Sequence, residues 1–395
     1  LGPIFKLRFA PFTPYMVSLA DPEATSLVYK TEGLVPQRHL FPAWSLYRQQ
    51  RNWPMATSNT NDYDEWKKSR ACLGDFLMQM QNIPSWLNRI DNVAQDVIDR
   101  IENEAKSNGR VTVTTLTKAF ALEAVSSLVF GKRMGCLSAN YKQPIEPSAQ
   151  AFIDAVDGFF DTTQQLHVIP TEVSTAIYPF LPAYQKHVKH CDYIFDLGYK
   201  MMLEKINTKD TAESDLLTMF LNRPELTENE AISLAIDVLF AGVDTTGNTL
   251  LWTMYCLATA PNALEIQEKL RDEINHAMQG KSKFDSLALG QLSYLRACVK
   301  ETLRLFPSAT PNQRYLGENV NLLGYDVPMG TSILMATYTM SHDPDIFKQP
   351  QVFNPDRWLR MDNHDKALRL KQAHATLPFG IGARSCVGRR LAETE

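Results

Sequence analysis

The sequence predicts a mainly α-helical fold with small β-sheets, in the α+β class. Apolar residues recur at helical spacing from Asn61 to about Ala277. Short runs with strand-like alternation flank this helical part, at Ile4–Phe9, Tyr15–Leu19 and Val320–Met340. Because no repeat or low-complexity linker separates the strands from the helices, we expect a single domain over residues 1–395.

Three amphipathic segments predict the first long helices. They begin at Asp64, Ser85 and Tyr193, with the sequences DEWKKSRACLGDFLMQM, SWLNRIDNVAQDVIDRIENEA and YIFDLGYKMMLEKI. In each segment the apolar residues lie three and four positions apart, which is typical of an amphipathic helix. This part of the chain is therefore expected to be almost entirely helical.

The next helix is expected from about Glu228 to Ala260. Thr227 and Glu230 have the spacing of a capping box at its start, and Pro261 follows its end. At 1.5 Å per residue this helix would be about 50 Å long. A helix of that length crosses a whole domain.

The centre of this helix reads AGVDTTGNT and combines helix-weakening residues with an acid. Gly242 and Gly247 each cost about 1 kcal/mol relative to alanine in a helix interior. The Thr245 hydroxyl can donate a hydrogen bond to the carbonyl of Ala241, which loosens the helical ladder. An acid beside that hydroxyl, Asp244, can relay protons to a bound oxygen species; the alternative is a helix kink with a satisfied aspartate.

A later helix is predicted in YLRACVKETLRLFP, which begins at Tyr294. Its apolar face uses residues at helical spacing, namely Leu292, Leu295, Val299, Leu303 and Phe306. Glu301 and Arg304 are neighbours at positions i and i+3. Taken alone, such a pair is most often a solvated surface pair that contributes roughly 0.3 kcal/mol.

Composition and charge exclude several classes of protein. Hydrophobic residues make up 44% and charged residues 21%, as in ordinary globular proteins, and the net charge of −4 provides no global basic field for nucleic acid. The most apolar stretch, Ala231–Ala260, contains Asp237, Asp244 and Asn248, so no membrane span is expected. The six cysteines lie far apart without a CxxC pair, which argues against a disulfide framework or a structural zinc site and favours a reducing compartment.

The strongest chemical signal is the segment LPFGIGARSCVGRRLAETE, which begins at Leu377. Gly380, Gly382 and Gly388 surround Cys386, and the last residues predict the start of a helix. Glycines permit positive φ and close approach by a flat ligand, and a helix N-terminus stabilises a thiolate. Cys386 is therefore a candidate anionic metal ligand, with a buried structural cysteine as the alternative. A phosphate-binding loop is excluded because the third glycine and the GKS or GKT ending are missing.

The segment FGIGARSCVG resembles the haem-ligand signature of the cytochrome P450 superfamily, the haem-thiolate monooxygenases, at every fixed position. Further matches follow in family order, at Trp66 with Arg70, AGVDTT, ETLR and FNPDRW, and cover nearly the whole chain. The resemblance implies the cytochrome P450 fold, with haem b between the long central helix and the cysteine loop and with Cys386 as the axial iron ligand. Members of this superfamily continue beyond the position of Glu395 through a helix and a β hairpin, so we expect a fragment truncated at both ends.

The resemblance also implies roles for individual residues. Asp244 and Thr245 would deliver protons and help to activate dioxygen. Glu301 and Arg304 would lock to Arg357 of FNPDRW and hold the haem-side core, a structural role. Haem would be bound by Trp66, Arg70, Arg314, Phe379, Gly382, Arg384 and Gly388, since buried propionates need cationic or N–H partners. The alternative for Trp66 is a place in the hydrophobic core.

The implied reaction is the insertion of one oxygen atom of O2 into a C–H bond of a lipophilic substrate, sterol-like, steroid-like or xenobiotic, while the other atom leaves as water. The substrate would lie against Phe240, Ala241, Ala309, Thr310 and Pro311, with further contacts from residues 38–51 and 159–167. A haem-thiolate isomerase or dehydratase is an alternative enzyme, although such relatives tend to lose the acid and threonine pair. A non-enzymatic haem sensor or carrier is the other alternative.

Three segments, RACVKETLR, QRYL and CVGRRLAETE, resemble the mitochondrial branch of the superfamily more than the endoplasmic-reticulum branch. That branch takes electrons from an iron–sulfur ferredoxin, with ferredoxin reductase and NADPH upstream. The resemblance implies a docking role for the basic residues Arg296, Lys300, Arg389 and Arg390. It also implies peripheral association with the matrix side of the mitochondrial inner membrane, with the endoplasmic reticulum membrane as the alternative.

Overall fold

The computed structural model describes residues 2–8, 13–33, 35–137, 145–208, 215–281, 283–310, 312–359 and 366–395, apart from the side chains at 108, 172 and 208. Its α-helices are, in chain order, α1 (Pro22–Lys30), α2 (Pro42–Arg51), α3 (Tyr63–Leu77), α4 (Ile83–Asn108), α5 (Val113–Val129), α6 (Pro147–His167), α7 (Thr171–Ile177), α8 (Pro182–Thr208), α9 (Leu216–Leu221), α10 (Glu228–Thr259), α11 (Ala263–Met278), α12 (Ser286–Gln291), α13 (Ser293–Leu305), α14 (Thr337–Ser341), α15 (Lys366–Thr376) and α16 (Arg389–Ala392). The β-strands are β1 (Ile4–Leu7), β2 (Met16–Leu19), β3 (Asn312–Tyr315), β4 (Val320–Leu322), β5 (Tyr325–Val327) and β6 (Ser332–Met335).

The chain divides into two compact units, each built from two separate stretches of sequence. Unit 1 comprises Leu1–His39 and Thr249–Cys386, and unit 2 comprises Leu40–Asn248 and Val387–Glu395. The boundary between the units falls within the sequence of helix α10. The single domain that we expect over residues 1–395 stays a prediction.

Unit 1 contains the β-structure. A four-stranded sheet has the order β1-β2-β6-β3, in which β2 and β6 are parallel and the two outer pairs are antiparallel. Strands β4 and β5 form a separate hairpin, whose two-residue turn places Leu323 and Gly324 at φ values of 53° and 89°. Both turn residues thus have the positive φ that a tight hairpin requires. Fully buried side chains of this sheet and of α1, among them Leu19, Val28 and Ile333, form the core beside it.

Unit 2 is helical. Its longest elements are α4, α8 and the first two-thirds of α10, and some of their glycines let helices approach closely. A Cβ atom at Gly242 of α10 would lie 2.6 Å from Cγ2 of Val125 on α5, and one at Gly198 of α8 would lie 2.5 Å from Cγ1 of Ile236 on α10. Gly242 therefore provides space for packing, and α10 remains a continuous α-helix through AGVDTTGNT.

Most predicted elements lie within one to three residues of the observed ones. Helix α8 begins at Pro182, eleven residues before the predicted start at Tyr193, and two β-region predictions also differ. The run expected to continue as strand to Met340 ends at Met335, and Thr337–Ser341 forms α14, because Thr337, Met340 and Ser341 are buried at helical spacing. Strand β3, which no strand pattern predicts, forms because Asn312–Tyr315 pairs with β6. Within the part of the chain that the structure describes, no helix is both long and apolar enough to cross a bilayer.

Candidate functional site

In unit 1, the loop that carries Cys386 is held by its own backbone. Gly380 and Gly382 have φ values of 64° and 77°, which favour glycine. The Cys386 N–H donates to the Phe379 carbonyl at 2.8 Å, and the Ser385 N–H donates to the Gly382 carbonyl at 3.1 Å. The chain therefore folds back on itself, and a backbone hydrogen bond joins Cys386, the candidate metal ligand, to Phe379.

The Cys386 side chain differs from the other cysteines in exposure. Cys386 is exposed, whereas the other five cysteines, Cys72, Cys136, Cys191, Cys256 and Cys298, are buried. Burial raises the pKa of Cys298 to about 12 and that of Cys256 to about 11, which keeps these thiols protonated. Cys386 is thus the accessible sulfur among them.

Three of the residues implied in haem binding surround Glu32 of unit 1. Arg314, which is buried, donates from Nε to Oε2 of Glu32 at 2.8 Å. A Cβ atom at Gly382 would lie 2.6 Å from Oε1 of the same carboxylate, and the buried Arg384 donates from Nε to the Pro36 carbonyl at 3.1 Å. Burial raises the pKa of Glu32, and the Arg314, Arg384 and Arg38 guanidinium groups oppose that shift. No motif in the sequence singles out Glu32.

The acid and threonine pair of α10 lies in unit 2. The Thr245 hydroxyl donates to the Ala241 carbonyl at 2.7 Å, as the sequence predicts. Oδ1 of Asp244 lies 3.5 Å from Nζ of Lys118, and Lys118 also pairs with Asp157. The carboxylate is therefore within reach of a cation on α5 that the sequence does not identify.

A second acid contacts the same part of α10. The Thr246 hydroxyl donates to Oε2 of Glu395 at 3.0 Å. Burial raises the pKa of Glu395 to about 8, against a smaller opposing effect of the Thr246 hydrogen bond. The sequence alone did not indicate this contact, because nothing in LAETE distinguishes Glu395 from the exposed Glu393.

The structure brings Glu301, Arg304 and Arg357 together in unit 1. Arg304 donates from Nε and Nη2 to the two oxygens of Glu301 at 2.9 and 2.7 Å, and both side chains have no solvent exposure. Arg357 Nε and Trp358 Nε1 donate to the same carboxylate at 2.9 and 2.8 Å. Arg304 also donates to the Ser341 and Pro350 carbonyls. The surface pair that the two residues suggest in isolation is thus a buried network.

The remaining haem-binding and substrate residues are placed separately in the two units. Trp66, which is buried, and Arg70 lie one turn apart on α3 in unit 2. Gly388 precedes α16, also in unit 2. In unit 1 the segment before β3 has Ala309 and Thr310 exposed, with the Thr310 hydroxyl 2.9 Å from that of Thr337. Pro311 lies outside the described residues.

Phe240 of α10 belongs to an aromatic cluster in unit 2. Its ring centroid lies 4.7 Å from that of Phe159 and 5.1 Å from that of Phe160, both on α6, and 6.0 Å from that of Trp44 on α2. Phe240, Phe159 and Trp44 also line a small, largely apolar cavity. The neighbouring Ala241 is exposed. The regions 38–51 and 159–167, expected to contact substrate, thus contribute Trp44 and Phe159 to the walls of one cavity.

The basic residues expected to dock a partner differ in their surroundings. On α13, Arg296 is exposed but donates to the Leu289 and Gly290 carbonyls at 3.0 and 2.9 Å, while Lys300 is exposed. On α16, Arg389 pairs with Glu393 at 2.9 Å. Arg390 is half-buried. Lys300 is therefore the simplest of the four residues to test by charge reversal.

The donor set at the cysteine loop fits a haem. One soft sulfur is accessible there, and no cluster of three or more His, Cys, Asp or Glu side chains that could hold a metal ion occurs in the described ranges. A single protein ligand is what a metal already held in a macrocycle requires. A Cβ atom at Gly380 would find only Ser385 Cα within 4 Å, at 3.9 Å, so this side of the loop is open to a flat group.

Comparisons with known proteins match the whole chain. The family model described as "Cytochrome P450" matches residues 1–395. The chain is 32% identical to the "Cholesterol side-chain cleavage enzyme, mitochondrial" of Oncorhynchus mykiss, over 100% of the chain and 75% of that protein. It is 30% identical to "Cytochrome P450 27C1" of Danio rerio and to the "25-hydroxyvitamin D-1 alpha hydroxylase, mitochondrial" of Rattus norvegicus, over 100% of the chain and 72% and 78% of those proteins.

These matches confirm the fold class and the haem cofactor with a cysteine thiolate ligand that the sequence resemblance implies. They also agree with the enzymatic prediction, since the relatives are named as hydroxylating or side-chain-cleaving enzymes. The chain belongs to the cytochrome P450 family, the haem-thiolate monooxygenases.

Proposed function

We propose that Cys386 would hold the haem iron of a monooxygenase that oxidises a lipophilic, sterol-like substrate with electrons from an iron–sulfur ferredoxin. The observation that carries this proposal is the exposed Cys386 thiol in a glycine loop whose backbone bonds fix its position, among otherwise buried cysteines. When bound, haem supplies the reductive activation of dioxygen and the transfer of one oxygen atom.

The protein's own contribution to the chemistry is the control of protons along α10. Asp244 and the Thr245 hydroxyl would deliver the protons that the reaction consumes, and Nζ of Lys118 on α5 lies 3.5 Å from the Asp244 carboxylate. Glu395 holds a proton at neutral pH and presents it beside Thr246. Glu395 and Thr246 form one acid–hydroxyl contact, and Asp244 and Thr245 supply an acid and a hydroxyl on the two preceding residues of α10, which suits a reaction that consumes protons.

We propose haem-binding roles for residues that the structure describes in each unit separately. Arg314 and Arg384 are buried guanidinium groups, and on α3 Trp66 offers an indole N–H and Arg70 a third guanidinium group. Propionate groups need such partners when they are removed from water. Phe379, Gly382 and Gly388 would shape the loop that faces the porphyrin.

Glu301, Arg304 and Arg357 stabilise unit 1 through their buried network and take no part in the chemistry.

The proposed substrate class and the proposed mitochondrial location of the enzyme are based on relatives that match the chain over its whole length. Two are named for cholesterol and 25-hydroxyvitamin D and are mitochondrial. Phe240, Ala241, Ala309 and Thr310 would contact the substrate, and the cavity beside Phe240 is lined mainly by apolar side chains. We propose a mitochondrial enzyme that takes electrons from ferredoxin, with Lys300 and Arg296 as the docking residues on α13.

Peripheral membrane association is supported by exposed apolar residues in unit 2. Val168 and Phe180 are 80% and 81% exposed, and Val173 and Ile177 on the intervening helix α7 are also exposed. Large exposed apolar groups close together in the sequence suit insertion into a lipid interface. Replacing Val168 and Phe180 by Ser should lower sedimentation with phospholipid vesicles; unchanged sedimentation would contradict this assignment.

The central proposal is tested on the haem-loaded protein by the spectrum of its ferrous CO complex. We expect the wild type to show the long-wavelength Soret band of thiolate ligation, and Cys386→Ala to lose it. Cys256→Ala, which changes a buried cysteine, is the matched control and should keep the band. An unchanged spectrum in Cys386→Ala would refute the ligand assignment. Oxidation of sterols by the wild type with ferredoxin, its reductase and NADPH tests the proposed reaction.

A further inference from the structure

One lysine of unit 2 is shared by two carboxylates. Nζ of Lys118 on α5 pairs closely with Oδ1 of Asp157 on α6 and lies 3.5 Å from Oδ1 of Asp244 on α10. The contact with Asp157 is a hydrogen bond, and the contact with Asp244 is a longer ion pair. Because Asp244 is the acid proposed to deliver protons, the position of this ammonium group bears directly on its charge.

Helix packing fixes the start of the Lys118 side chain. A Cβ atom at Gly247 of α10 would lie 3.2 Å from both Cα and Cγ of Lys118, so α10 passes close to this part of α5. Gly247 follows Asp244 by about one helical turn and therefore lies on the same side of α10. The Lys118 side chain is only 15% exposed. The ammonium group is thus held near the two carboxylates.

The two carboxylates differ in their access to solvent. The Asp157 side chain is 47% exposed and that of Asp244 is 26% exposed. The neighbour of Asp157 on α6 is Gly158, where a Cβ atom would collide with the ring of His190 on α8, so this part of α6 has a fixed place against α8. Water can screen the charge of Asp157, whereas the charge of Asp244 depends more on its protein neighbours.

A close ammonium group would hinder an acid that delivers protons. In each cycle such a carboxyl group gives up its proton and takes another one from solvent. A tightly paired ammonium group stabilises the carboxylate form and occupies one of its oxygens, so it opposes the return of the proton. Lys118 would have this effect on Asp244 if Asp157 did not hold it.

We propose that Asp157 is a positioning residue for proton delivery, because it holds Lys118 at a distance from Asp244. Without the Asp157 carboxylate, the lysine would close on Asp244 and keep it ionised. This inference rests on the proposed function, in particular on the role of Asp244. It adds a residue of α6 that no motif in the sequence indicates.

The first test uses the haem-loaded protein with ferredoxin, its reductase and NADPH, and cholesterol as the probe. Asp157→Asn should lower the product formed per NADPH roughly tenfold and raise the solvent isotope effect on product formation, because proton transfer becomes limiting. Lys118→Met removes the ammonium group and should behave like the wild type. The double variant Asp157→Asn with Lys118→Met should regain the wild-type values, which a merely structural role of Asp157 does not predict.

Two outcomes of this test would overturn the inference. If Lys118→Met loses product, Asp244 needs the lysine. If the double variant stays as poor as Asp157→Asn, Asp157 acts through some other group than Lys118. If the wild type does not oxidise cholesterol, the stability measurement that follows decides.

The second measurement needs neither substrate nor electron transfer. Urea unfolding at neutral pH gives the coupling free energy between Lys118 and Asp244 from a double-mutant cycle of Lys118→Met and Asp244→Asn. The cycle is measured in the parent chain and again in the presence of Asp157→Asn. We expect the coupling to be at least twofold larger with Asp157→Asn, since the lysine then pairs with Asp244 alone. Equal coupling in the two backgrounds would overturn the inference.

Glu204→Gln is the matched control, because it removes an exposed carboxylate that pairs with Lys132 at 2.8 Å in the same unit. It should change neither product per NADPH nor the coupling. The two levels of the proposal fail in different ways. If Asp244→Asn forms product as well as the wild type, the proposed proton delivery fails and this inference fails with it. If Asp244→Asn loses product while Asp157→Asn does not, only the role of Asp157 is wrong.

Discussion

The Thr246 hydroxyl donates a 3.0 Å hydrogen bond to Oε2 of Glu395, while Oε1 of the same carboxyl group is buried without a partner in the described ranges. Burial raises the pKa of Glu395 from its ordinary value of 4.5 to about 8, so this group carries a proton in the folded protein at neutral pH. Glu395 thus holds a proton beside Thr246, the residue that follows Asp244 and Thr245 in α10.

Glu395 makes the stability of the protein depend on pH. The unfolded chain releases this proton near pH 4.5 and the folded chain keeps it to about 8, so folding takes up a proton between these values and stability falls as pH rises through them. Glu395→Gln cannot titrate, so its stability relative to the wild type should improve steadily from about pH 5 to about pH 8. Urea unfolding across this range measures the difference.

The control for that experiment is Glu393→Gln, which removes a side chain that is 44% exposed and paired only with Arg389 in the described contacts. Its stability curve should run parallel to that of the wild type. A Glu395→Gln curve that also runs parallel to the wild type would show that Glu395 is ionised in the folded protein.

Removal of the Thr245 hydroxyl should uncouple electron consumption from product formation. This hydroxyl donates to the Ala241 carbonyl at 2.7 Å and lies beside Asp244, and loss of a positioned proton donor typically slows a reaction by about a hundredfold or more. In Thr245→Ala we expect NADPH oxidation to continue while product per NADPH falls. Thr245→Ser keeps a hydroxyl and should remain coupled. Full coupling in Thr245→Ala would limit the residue to a role in the helix.

The buried Glu301 network should be essential for stability. Glu301→Ala would leave Arg304 without its carboxylate at a position with no solvent exposure, which costs about 3–5 kcal/mol in unfolding free energy. Glu265→Ala is the comparison, because it removes an exposed pair with Lys269, which solvent screens and which therefore contributes little to stability. Chemical denaturation of the two variants gives the comparison; similar small losses would mean that the buried pair contributes no more than a surface pair.

Electron transfer from ferredoxin should depend on Lys300 more cleanly than on Arg296. Lys300 is exposed, whereas the Arg296 side chain also bonds the Leu289 and Gly290 carbonyls, so changing Arg296 should lower stability as well as docking. Lys300→Glu should slow ferredoxin reduction roughly tenfold at low salt, with little change in peroxide-supported turnover. The effect should shrink at high ionic strength.

Lys281→Glu is the control for the docking experiment, since it reverses an exposed charge that pairs with Asp285 in the same unit. It should transfer electrons at the wild-type rate. If Lys300→Glu accepts electrons as quickly as this control at low salt, the docking surface is elsewhere and the mitochondrial assignment loses its main support in the chain itself.

Local signals in the sequence predicted several elements closely. Helix α10 ends one residue before the predicted boundary, because the Thr227–Glu230 capping box and Pro261 are features of neighbouring residues. Strand β3 and helix α14 were not predicted, because β3 depends on pairing with a strand about twenty residues later and α14 on burial of one helical face. Elements without their own local signal depend on what they pack against.

The sequence by itself determined the family, the fold class, the candidate iron ligand Cys386 and the Asp244–Thr245 pair, because each depends on residue types at fixed short spacing. Only the tertiary structure decided which buried groups meet. Arg314 contacts Glu32 across 282 residues, Arg48 contacts Asp237 across 189, and Thr246 contacts Glu395 across 149. Hydrogen bonding and burial of an ionisable group are set by whatever surrounds it in space, and at these separations no sequence pattern records those neighbours.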